Sequence, residues 1–325
     1  MEAKPITILG IFVVDLAFRT KSLPVWGETI LGGGFRLGPG GKGSNQSVGA
    51  ARLGAKVYFI GKVGDDNFGD VASKTLDTEG VDTRFLTRST EEATGAAAII
   101  IDEASGENAI IVTPGAANTL SRREIDQARV QIGESAVFMT QLELPVPLVE
   151  HGLKTARELG VPTILNPAPA CKLDDSIFQL CDYITPNESE AGTLTGCSVE
   201  TLEDAERAAD LLIARGVRNV IVTLGARGAL VKTASVTQHV PAFNAGTVVE
   251  TTGAGDAFNA GLAVALSEGL DVVEATRFGC AVAGISVTRP GTAPSMPKRS
   301  EVTELMGPTK PSTGSGSHGS ETGFL

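Results

Sequence analysis

The sequence predicts an α/β protein with a mainly parallel central sheet and a small β-sheet lid. Short β-branched runs alternate with helical patterns through most of the 325 residues, which is typical of stacked βαβ units. Two segments, 13–36 and 93–112, interrupt this order, because they are rich in Gly, Thr and Ile and show no crossover helix. These segments predict a small antiparallel sheet built from two insertions.

The predicted elements follow one another in a regular order. The strands are Ile6–Phe12, Val57–Ile60, Ala136–Met139, Thr163–Leu165, Tyr183–Thr185 and Asn219–Thr223. The helices are Ser44–Leu53, Phe68–Glu79, Arg122–Gln131, Pro147–Leu159, Glu188–Leu194, Glu203–Arg215, Asp256–Ser267 and Val272–Val287. Capping residues support these ends, since Thr201 and Asp204 can form an N-terminal cap and Gly160 and Gly216 follow two helices.

These elements divide the chain into a discontinuous main domain, a lid and a tail. The main domain comprises residues 1–12, 37–92 and 113–307, and the lid comprises 13–36 and 93–112. The tail, 308–325, contains GSGSHGSETG, which predicts a disordered segment or a remnant of an expression tag. The lid would cover a cleft at the carboxyl ends of the parallel strands, where open α/β sheets bind ligands.

Composition narrows the range of partners. Lys and Arg number 27 against 38 Asp and Glu, and the net charge of −11 disfavours nucleic acid and anionic membranes as partners. The four cysteines show no CxxC spacing, so we expect no disulfide framework, no zinc site and a reducing cytoplasm. The three histidines lie outside the motifs described below, which argues against zinc hydrolase and Ser/His/Asp chemistry. No leader or apolar run of about 18 residues is visible, so we expect a soluble protein.

The segment TTGAGDAFNAG, residues 251–261, combines a glycine-rich turn, an acid and a helix start. Gly253, Ala254 and Gly255 leave backbone N–H groups accessible at the positive end of the helix dipole, which favours a bound phosphate. Asp256 is the first acidic side chain after the turn and could accept a proton from a substrate hydroxyl. The segment therefore indicates phosphoryl transfer. An ordinary helix start with an N-terminal charge is the competing interpretation.

A second glycine-rich motif, GPGGKGSNQ, occupies residues 38–46. Gly41 and Gly43 let the backbone approach a polyhydroxylated ligand, Lys42 supplies a cation, and Asn45 offers a donor and an acceptor. The spacing GxxxxGK[ST] is absent, so the motif is not a P-loop. A loop with a helix cap explains the motif equally well in isolation.

The two motifs together resemble the ribokinase (PfkB) family of carbohydrate kinases. The resemblance extends from Ile6 to Pro297. GGKGSNQSV is similar to the family's sugar-side signature, and TTGAGDAFNAG is similar to its catalytic signature. The other matching motifs follow in the expected order: Gln141–Glu143, Leu165–Pro169, Thr185–Glu190, Thr223–Gly228 and Val287–Gly291. The family has a three-layer α/β/α fold with a lid, and this fold is what the resemblance implies here.

The resemblance implies an ATP-dependent kinase that phosphorylates a primary hydroxyl of a free sugar, with D-ribose favoured. Asp256 would be the catalytic base, beside an anion hole formed by Gly253, Ala254 and Gly255. The implied sugar site comprises Asp15, Gly41, Lys42, Gly43, Asn45 and Glu143. The implied nucleotide site comprises Asn187, Glu190, Thr223, Gly225, Gly228 and Gly255. Mg²⁺ would accompany ATP, and a K⁺ loop would comprise Glu250, Thr252, Ser286, Arg289, Gly291 and Ser295.

The residues themselves leave alternatives open. Asp15 beyond the first strand suits sugar hydroxyls, but it could also be a turn acid, and Glu143 could be a solvated turn residue. Asn187 and Glu190 share a helical face that could order water around Mg²⁺, or Asn187 could simply cap the helix. The turn from Thr223 to Gly228 could contact a nucleotide or join a plain hairpin.

Three positions depart from the family pattern. Val13 stands where ribokinase has Asn, which removes a polar contact to the sugar. The identity of the sugar substrate therefore does not follow from the resemblance. Glu250 stands where the family usually has Asp, and its extra methylene would move the carboxylate and alter the K⁺ loop. Cys280 stands where ribokinase has His near the adenine, and we interpret it as a buried structural thiol.

Two alternative functions and one partner complete the expectations. The chain could phosphorylate another sugar, a sugar phosphate or a nucleoside, or it could be a catalytically silent regulator that binds sugar or nucleotide. An apolar lid face, represented by Ile99, Ile101, Ile110 and Val112, predicts a homodimer formed through the lid.

Overall fold

A nine-stranded sheet forms the centre of the protein in the computed structural model, which describes residues 4–105 and 107–307. The thirteen strands of this part of the chain are β1 Ile6–Leu9, β2 Val13–Thr20, β3 Gly34–Gly40, β4 Val57–Gly64, β5 Asp82–Ser89, β6 Thr94–Asp102, β7 Asn108–Gly115, β8 Val137–Gln141, β9 Thr163–Asn166, β10 Tyr183–Ile184, β11 Asn219–Thr223, β12 Ala229–Thr233 and β13 Thr237–Val240. The central sheet has the order β13-β12-β11-β10-β9-β8-β1-β4-β5.

Seven neighbouring strands of this sheet, β5 to β11 in spatial order, are parallel, and only β12 and β13 run antiparallel at one edge. The mainly parallel sheet is therefore confirmed. The sequence analysis missed β5, β12 and β13. Strands β5 and β13 form the two edges, where residues contact water and the apolar run that marks a buried strand is lost.

Helices cover both faces of the central sheet. They are α1 Lys42–Arg52, α2 Asn67–Thr78, α3 Arg122–Gln127, α4 Arg129–Glu134, α5 Val146–Glu158, α6 Asp175–Phe178, α7 Glu188–Thr195, α8 Leu202–Ala214, α9 Ala254–Ser267, α10 Val272–Ser286 and α11 Arg299–Met306. Successive strand residues enter different cores: Leu9 and Phe138 pack in one, whereas Ile8 and Met139 pack in the other. A core on each side of the sheet confirms the three-layer α/β/α arrangement.

The helix ends match the capping residues found in the sequence. Asp204 N–H donates to Thr201 Oγ1 at 3.1 Å, and Gly160 and Gly216 both have positive φ after their helices. The helix predicted over Arg122–Gln131 is instead divided into α3 and α4. Ala128, with φ −90° and ψ 4°, ends the first and precedes the second. Across the ranges 4–105 and 107–307, none of the helices combines the length and apolar character of a membrane span.

The lid is a separate four-stranded sheet with the order β3-β2-β6-β7. Each insertion forms an antiparallel hairpin, but β2 and β6 pair in parallel, so the prediction of an antiparallel sheet was wrong for this central pair. The insertions follow β1 and β5, which run in the same direction, so their first strands leave the main sheet in the same direction. The lid strands also run past the predicted limits, to Gly40 and Gly115. The predicted tail, 308–325, lies outside the described residues.

Candidate active site

Asp256 lies in the first turn of α9, which packs against α1. Its side chain is buried, with 5% of its surface exposed. Asn45 Nδ2 donates to Asp256 Oδ2 at 2.9 Å, and Gln46 Nε2 donates to Asp256 Oδ1 at 3.0 Å. The two glycine-rich motifs, about 210 residues apart in sequence, therefore meet at this carboxylate.

The turn before α9 presents free backbone amides. Gly253 has φ 84°, and a Cβ at this position would also lie 3.2 Å from the backbone of Thr292, so glycine is required there. Ala254 N–H donates to the carbonyl of Thr251 at 3.1 Å. The N–H groups of Gly253 and Gly255 donate to no atom in the described ranges. A phosphate at this helix start would therefore meet two amides of the predicted anion hole, while the third is already occupied.

Asp256 combines burial with several stabilising contacts. Burial raises the pKa of its carboxyl group above the ordinary value, because the charged form loses water. The Lys42 charge and the hydrogen bonds from Asn45 and Gln46 oppose this rise. A base whose pKa is raised toward neutrality binds a proton more readily, which suits the transfer expected of Asp256.

Lys42 and Glu143 are joined at the start of α1. The backbone N–H of Lys42 donates to Glu143 Oε2 at 2.8 Å. Burial raises the pKa of Glu143 to about 7, against the lowering effect of Lys42. Burial lowers the pKa of Lys42, but the charges of Asp256, Glu143 and Glu190 raise it overall. Glu143 is therefore a partly buried partner of the sugar-side loop rather than a solvated turn residue.

A close backbone contact sets the position of this loop. A Cβ at Gly43 would lie 2.7 Å from the Cα of Gly10, which follows β1. Only glycine at both positions lets the start of α1 rest against the end of β1. Asn45 follows Gly43 by two residues on α1, so this contact also positions Asn45, whose amide donates to Asp256 on α9.

The lid brings Asp15 over the same region. Burial and the Asp256 charge raise the pKa of Asp15 to about 6, opposed by Arg36 and Thr292. Between lid and main domain lies a cavity of about 600 Å³. Its lining includes Asp15 and Arg36 from the lid, and Glu250, Thr252 and Gly291 from the main domain. Its size suits a small ligand, and Asp15, Arg36 and Glu250 supply charged groups in a lining that is otherwise largely apolar.

Two features next to Asp15 are relevant to sugar recognition. Val13 is 2% exposed and packs in the core with Ile11 and Leu142, so it offers no polar group. Asn45 Oδ1 is buried and accepts no hydrogen bond from any residue that the structure describes. A buried acceptor without a partner is costly, and a ligand hydroxyl would satisfy it.

The predicted nucleotide residues lie at the ends of β10 and β11. Asn187 caps α7, since its Oδ1 accepts from Glu190 N–H at 2.8 Å and Glu190 Oε2 accepts from Asn187 N–H at 2.9 Å. The simple cap that the sequence left open is therefore present. Burial raises the pKa of Glu190, the Lys42 charge lowers it and the Asp256 charge raises it. The start of α7 therefore lies within electrostatic range of Asp256.

Thr223 ends β11 and forms an isolated bridge with Asn187. The following residues, Gly225 to Arg227, form a 3₁₀ turn that leads into β12. Gly225 and Gly228 both have positive φ. The turn therefore joins a hairpin, as the competing interpretation held, and it stands beside the start of α7.

The residues predicted for a K⁺ loop come from two segments that meet. Glu250 Oε2 accepts from Gly291 N–H at 2.9 Å, and Glu250 N–H donates to the carbonyl of Val287 at 3.2 Å. The hydroxyls of Ser286 and Ser295 donate to nearby carbonyls. Arg289 pairs with Glu301. Thr252 lines the cavity.

The apolar lid residues are divided between two faces. Ile99, Ile101 and Ile110 line the cavity, and strand register places Val112 on the same face. Ile110 and Val112 are 47% and 46% exposed in the single chain, and the homodimer predicted through this face stays a prediction. Strand register places the exposed side chains Phe18, Phe35, Leu37 and Ile111 on the opposite face, although Phe35 and Leu37 also border the cavity. Both faces are apolar, so alternation alone could not tell which one faces outward.

Gln46 was given no role from the sequence, although its side chain donates directly to Asp256. Its position beside Asn45 at a helix start was the available signal. Cys280 is buried, and burial raises the pKa of its thiol to about 12, in agreement with a structural thiol.

A carboxylate at a helix N-terminus, free amides beside it and a lid-covered cavity with charged residues in its lining are typical of a phosphotransferase that acts on a hydroxylated small molecule. Comparison with known proteins agrees with this class. The model of the pfkB family carbohydrate kinases matches residues 3–299, and the chain belongs to that family. It is therefore a carbohydrate kinase that transfers phosphate to a sugar hydroxyl.

Individual relatives cover nearly the whole chain. A ribokinase of Haemophilus influenzae is 40% identical over 303 residues, which are 93% of this chain and 98% of the relative. A deoxyribokinase of Salmonella typhi is 37% identical over the same shares of both chains. A structure of Arabidopsis thaliana ribokinase complexed with ribose and ATP has a TM-score of 0.89 and 31% identity, covering 94% of this chain and all of that one.

Proposed function

We propose that this kinase transfers the γ-phosphate of ATP to a primary hydroxyl of a free pentose, with D-ribose the favoured substrate. The single observation that carries this proposal is the contact between Asn45 of the sugar-side loop and Asp256 at the amide-rich start of α9. The similarity to a ribokinase solved with ribose and ATP supports the choice of both substrates.

The mechanism follows from the chemistry of Asp256. The sugar hydroxyl gives its proton to the Asp256 carboxylate as its oxygen bonds to the γ-phosphorus, and the bond from that phosphorus to the departing ADP oxygen breaks. The amides of Gly253 and Gly255 donate to the transferring oxygens as charge develops. A general base contributes roughly 10²–10⁴-fold, and positioning and charge stabilisation contribute the rest.

Glu190 is the residue best suited to Mg²⁺ among those proposed for the nucleotide. Glu190 Oε2 accepts the α7 cap hydrogen bond, and its other oxygen accepts none within residues 4–105 and 107–307. A carboxylate oxygen in this state fits a Mg²⁺-bound water. When bound, Mg²⁺ would neutralise charge on the phosphates. Asn187, Thr223, Gly225 and Gly228 would border the nucleotide.

We assign the K⁺ site to the segments containing Glu250 and Gly291. Glu250 Oε2 accepts from the Gly291 N–H, whereas the hydroxyls of Ser286 and Ser295 donate to carbonyls and keep oxygen lone pairs for a cation. These hydroxyl oxygens and backbone carbonyl oxygens of the two segments would be the cation ligands. The cation would supply a fixed positive charge next to the anion hole.

A second candidate substrate, 2-deoxyribose, is favoured by Val13. The polar side chain that ribokinase carries there is replaced by a buried apolar one, so the pocket has one sugar contact fewer. A sugar with one hydroxyl fewer loses less in such a pocket. The similarity to a deoxyribokinase supports this candidate.

The change Asp256→Asn tests the proposed function. We expect kcat for ribose phosphorylation to fall roughly 10²–10⁴-fold, because the amide cannot accept the proton. ATP binding, measured by calorimetry, should be retained. Near-normal kcat would contradict the role of Asp256. Binding of ATP and sugar to the unaltered protein without ADP release would instead support a silent regulator.

A further inference from the structure

A row of buried polar side chains continues from Asp256 into the protein. Gln141 and Asn166 end the adjacent strands β8 and β9, where they pair in register, and Thr185 follows β10. Gln46 on α1 lies between this row and Asp256. Every member is at most 6% exposed. Amide groups buried in this way are expected to form specific hydrogen bonds, and these amides connect the strand ends to the catalytic acid.

The hydrogen bonds of this row have a fixed direction. Asn166 Nδ2 donates to the backbone carbonyl of Thr185 at 3.4 Å, and a carbonyl can only accept. Asn166 Oδ1 must then face Gln46, whose Nε2 donates to it at 3.1 Å. Gln46 Oε1 therefore points the other way and accepts from Gln141 Nε2. The backbone of Thr185 thus determines that Gln46 turns an N–H group, and not its oxygen, toward Asp256.

We propose that Gln46 is a positioning residue, which holds the Asp256 carboxylate ionised and in one orientation, with its own amide direction fixed by Asn166 and Gln141. Asn45 and Gln46 are consecutive, and each donates to a different oxygen of Asp256. Both oxygens of the carboxylate therefore accept a hydrogen bond from a side chain of α1. Two donated hydrogen bonds favour the charged form of a buried acid. The proposal rests on the proposed role of Asp256 as the base.

Other charged groups also face Asp256, and they must be considered in any test by pH. Lys42 approaches from α1 and favours the ionised acid. Asp15 from the lid, Glu143 after β8 and Glu190 from α7 are all influenced by the Asp256 charge. Because several carboxyl groups titrate near one another, the pH dependence of the rate alone would not identify Asp256.

The experiment therefore observes Asp256 directly. In protein labelled with ¹³C at aspartate carboxyl carbons and free of substrates, the Asp256 resonance is identified by its absence in Asp256→Asn. We expect Gln46→Met, which keeps the volume and removes both donated hydrogen bonds, to raise the titration midpoint of this resonance by about one pH unit. The kcat/KM for sugar should then fall about tenfold below the new midpoint and recover above it.

A control variant separates positioning from stability. Thr7→Val removes a buried hydrogen bond of 2.8 Å to Ser135, and within the described residues neither Thr7 nor Ser135 is hydrogen-bonded to Asp256, Asn45 or Gln46. It should lower the melting temperature without moving the Asp256 midpoint. If Gln46→Met also lowers only the melting temperature and leaves the midpoint in place, Gln46 is a structural residue and the proposal is overturned. The titration needs no turnover, so this outcome is distinct from failure of the Asp256→Asn test.

Discussion

The nitrogen and the oxygen of the Asn45 side-chain amide have different surroundings. Its Nδ2 holds Asp256, and its Oδ1 remains without a partner in the described ranges. Asp15 and Glu143, both with raised pKa values, add acceptors nearby. Val13 is the apolar exception in this group. In our proposal these polar residues bind a hydroxylated ligand, and Val13 leaves one of its hydroxyls without a partner.

We expect Val13→Asn to change sugar selectivity. The added amide supplies a hydrogen-bonding group in the pocket, so the ratio of kcat/KM for ribose to that for 2-deoxyribose should rise about tenfold or more. ADP release with ribose, 2-deoxyribose, fructose, fructose phosphates and adenosine measures this ratio and tests the other substrate classes.

Val13→Ala is the matched control, because it removes volume without adding a polar group. It should leave the ratio of ribose to 2-deoxyribose unchanged. An Asn variant with the same ratio as the unaltered enzyme would show that Val13 does not contact the region of the sugar ring that differs between these substrates.

The two faces of the lid sheet have different surroundings. One face lines the cavity with Asp15 and Ile99, and the other exposes Phe18 and Phe35, whose ring centroids are 5.0 Å apart. Exposed aromatic pairs on a sheet face are typical of a surface that is covered in an assembly. We therefore propose the face of Phe18 and Phe35 as a second candidate for the homodimer surface, beside the predicted face of Ile110 and Val112.

We expect sedimentation to show a dimer at micromolar concentration and Phe35→Ser to shift it toward monomer, because Phe35 is 60% exposed in the single chain and would be buried by a partner. Val130→Ser is the control, since Val130 on α4 is 66% exposed and lies outside the lid. A monomer in the unaltered protein, or equal dissociation in both variants, would contradict this interface.

The stability of the whole molecule depends on the ionisation of its partly buried acids. Glu143 has a folded pKa of about 7 against an ordinary 4.5, so the folded state binds its proton more tightly than the unfolded state. Its ionisation therefore destabilises the fold. This cost is absent below about pH 4.5, grows up to about pH 7 and is complete above it.

Glu143→Gln should remove this cost. Its side-chain oxygen can still accept from Lys42 N–H, so the free energy of unfolding at about pH 8 should rise by on the order of 2 kcal/mol. At about pH 4.5 the two proteins should be similar. Urea unfolding without ligands at both pH values measures the difference. Glu91→Gln, at an exposed site, is the control, and equal changes for both variants would refute the burial argument.

Local sequence patterns were sufficient for much of this protein. The alternation of strands and helices, the caps at Thr201 and Gly160, and the motifs around Asn45 and Asp256 all follow from neighbouring residues, because periodicity and capping are local. The mainly parallel sheet with crossover helices could be predicted from them, and the three-layer fold was what the family resemblance implied. The edge strand β5 could not, since its half-exposed residues carry no clear pattern.

The remaining features depend on contacts between distant parts of the chain. These features include the hydrogen bonds from Asn45 and Gln46 to Asp256 and the parallel pairing of β2 with β6. They also include which face of the lid points outward. In each case the residues involved share no local pattern. Strand alternation distinguishes two faces of a sheet, but packing alone decides which one meets water. The sequence thus identifies the reacting groups, whereas three-dimensional packing sets their orientation, their burial and hence their protonation.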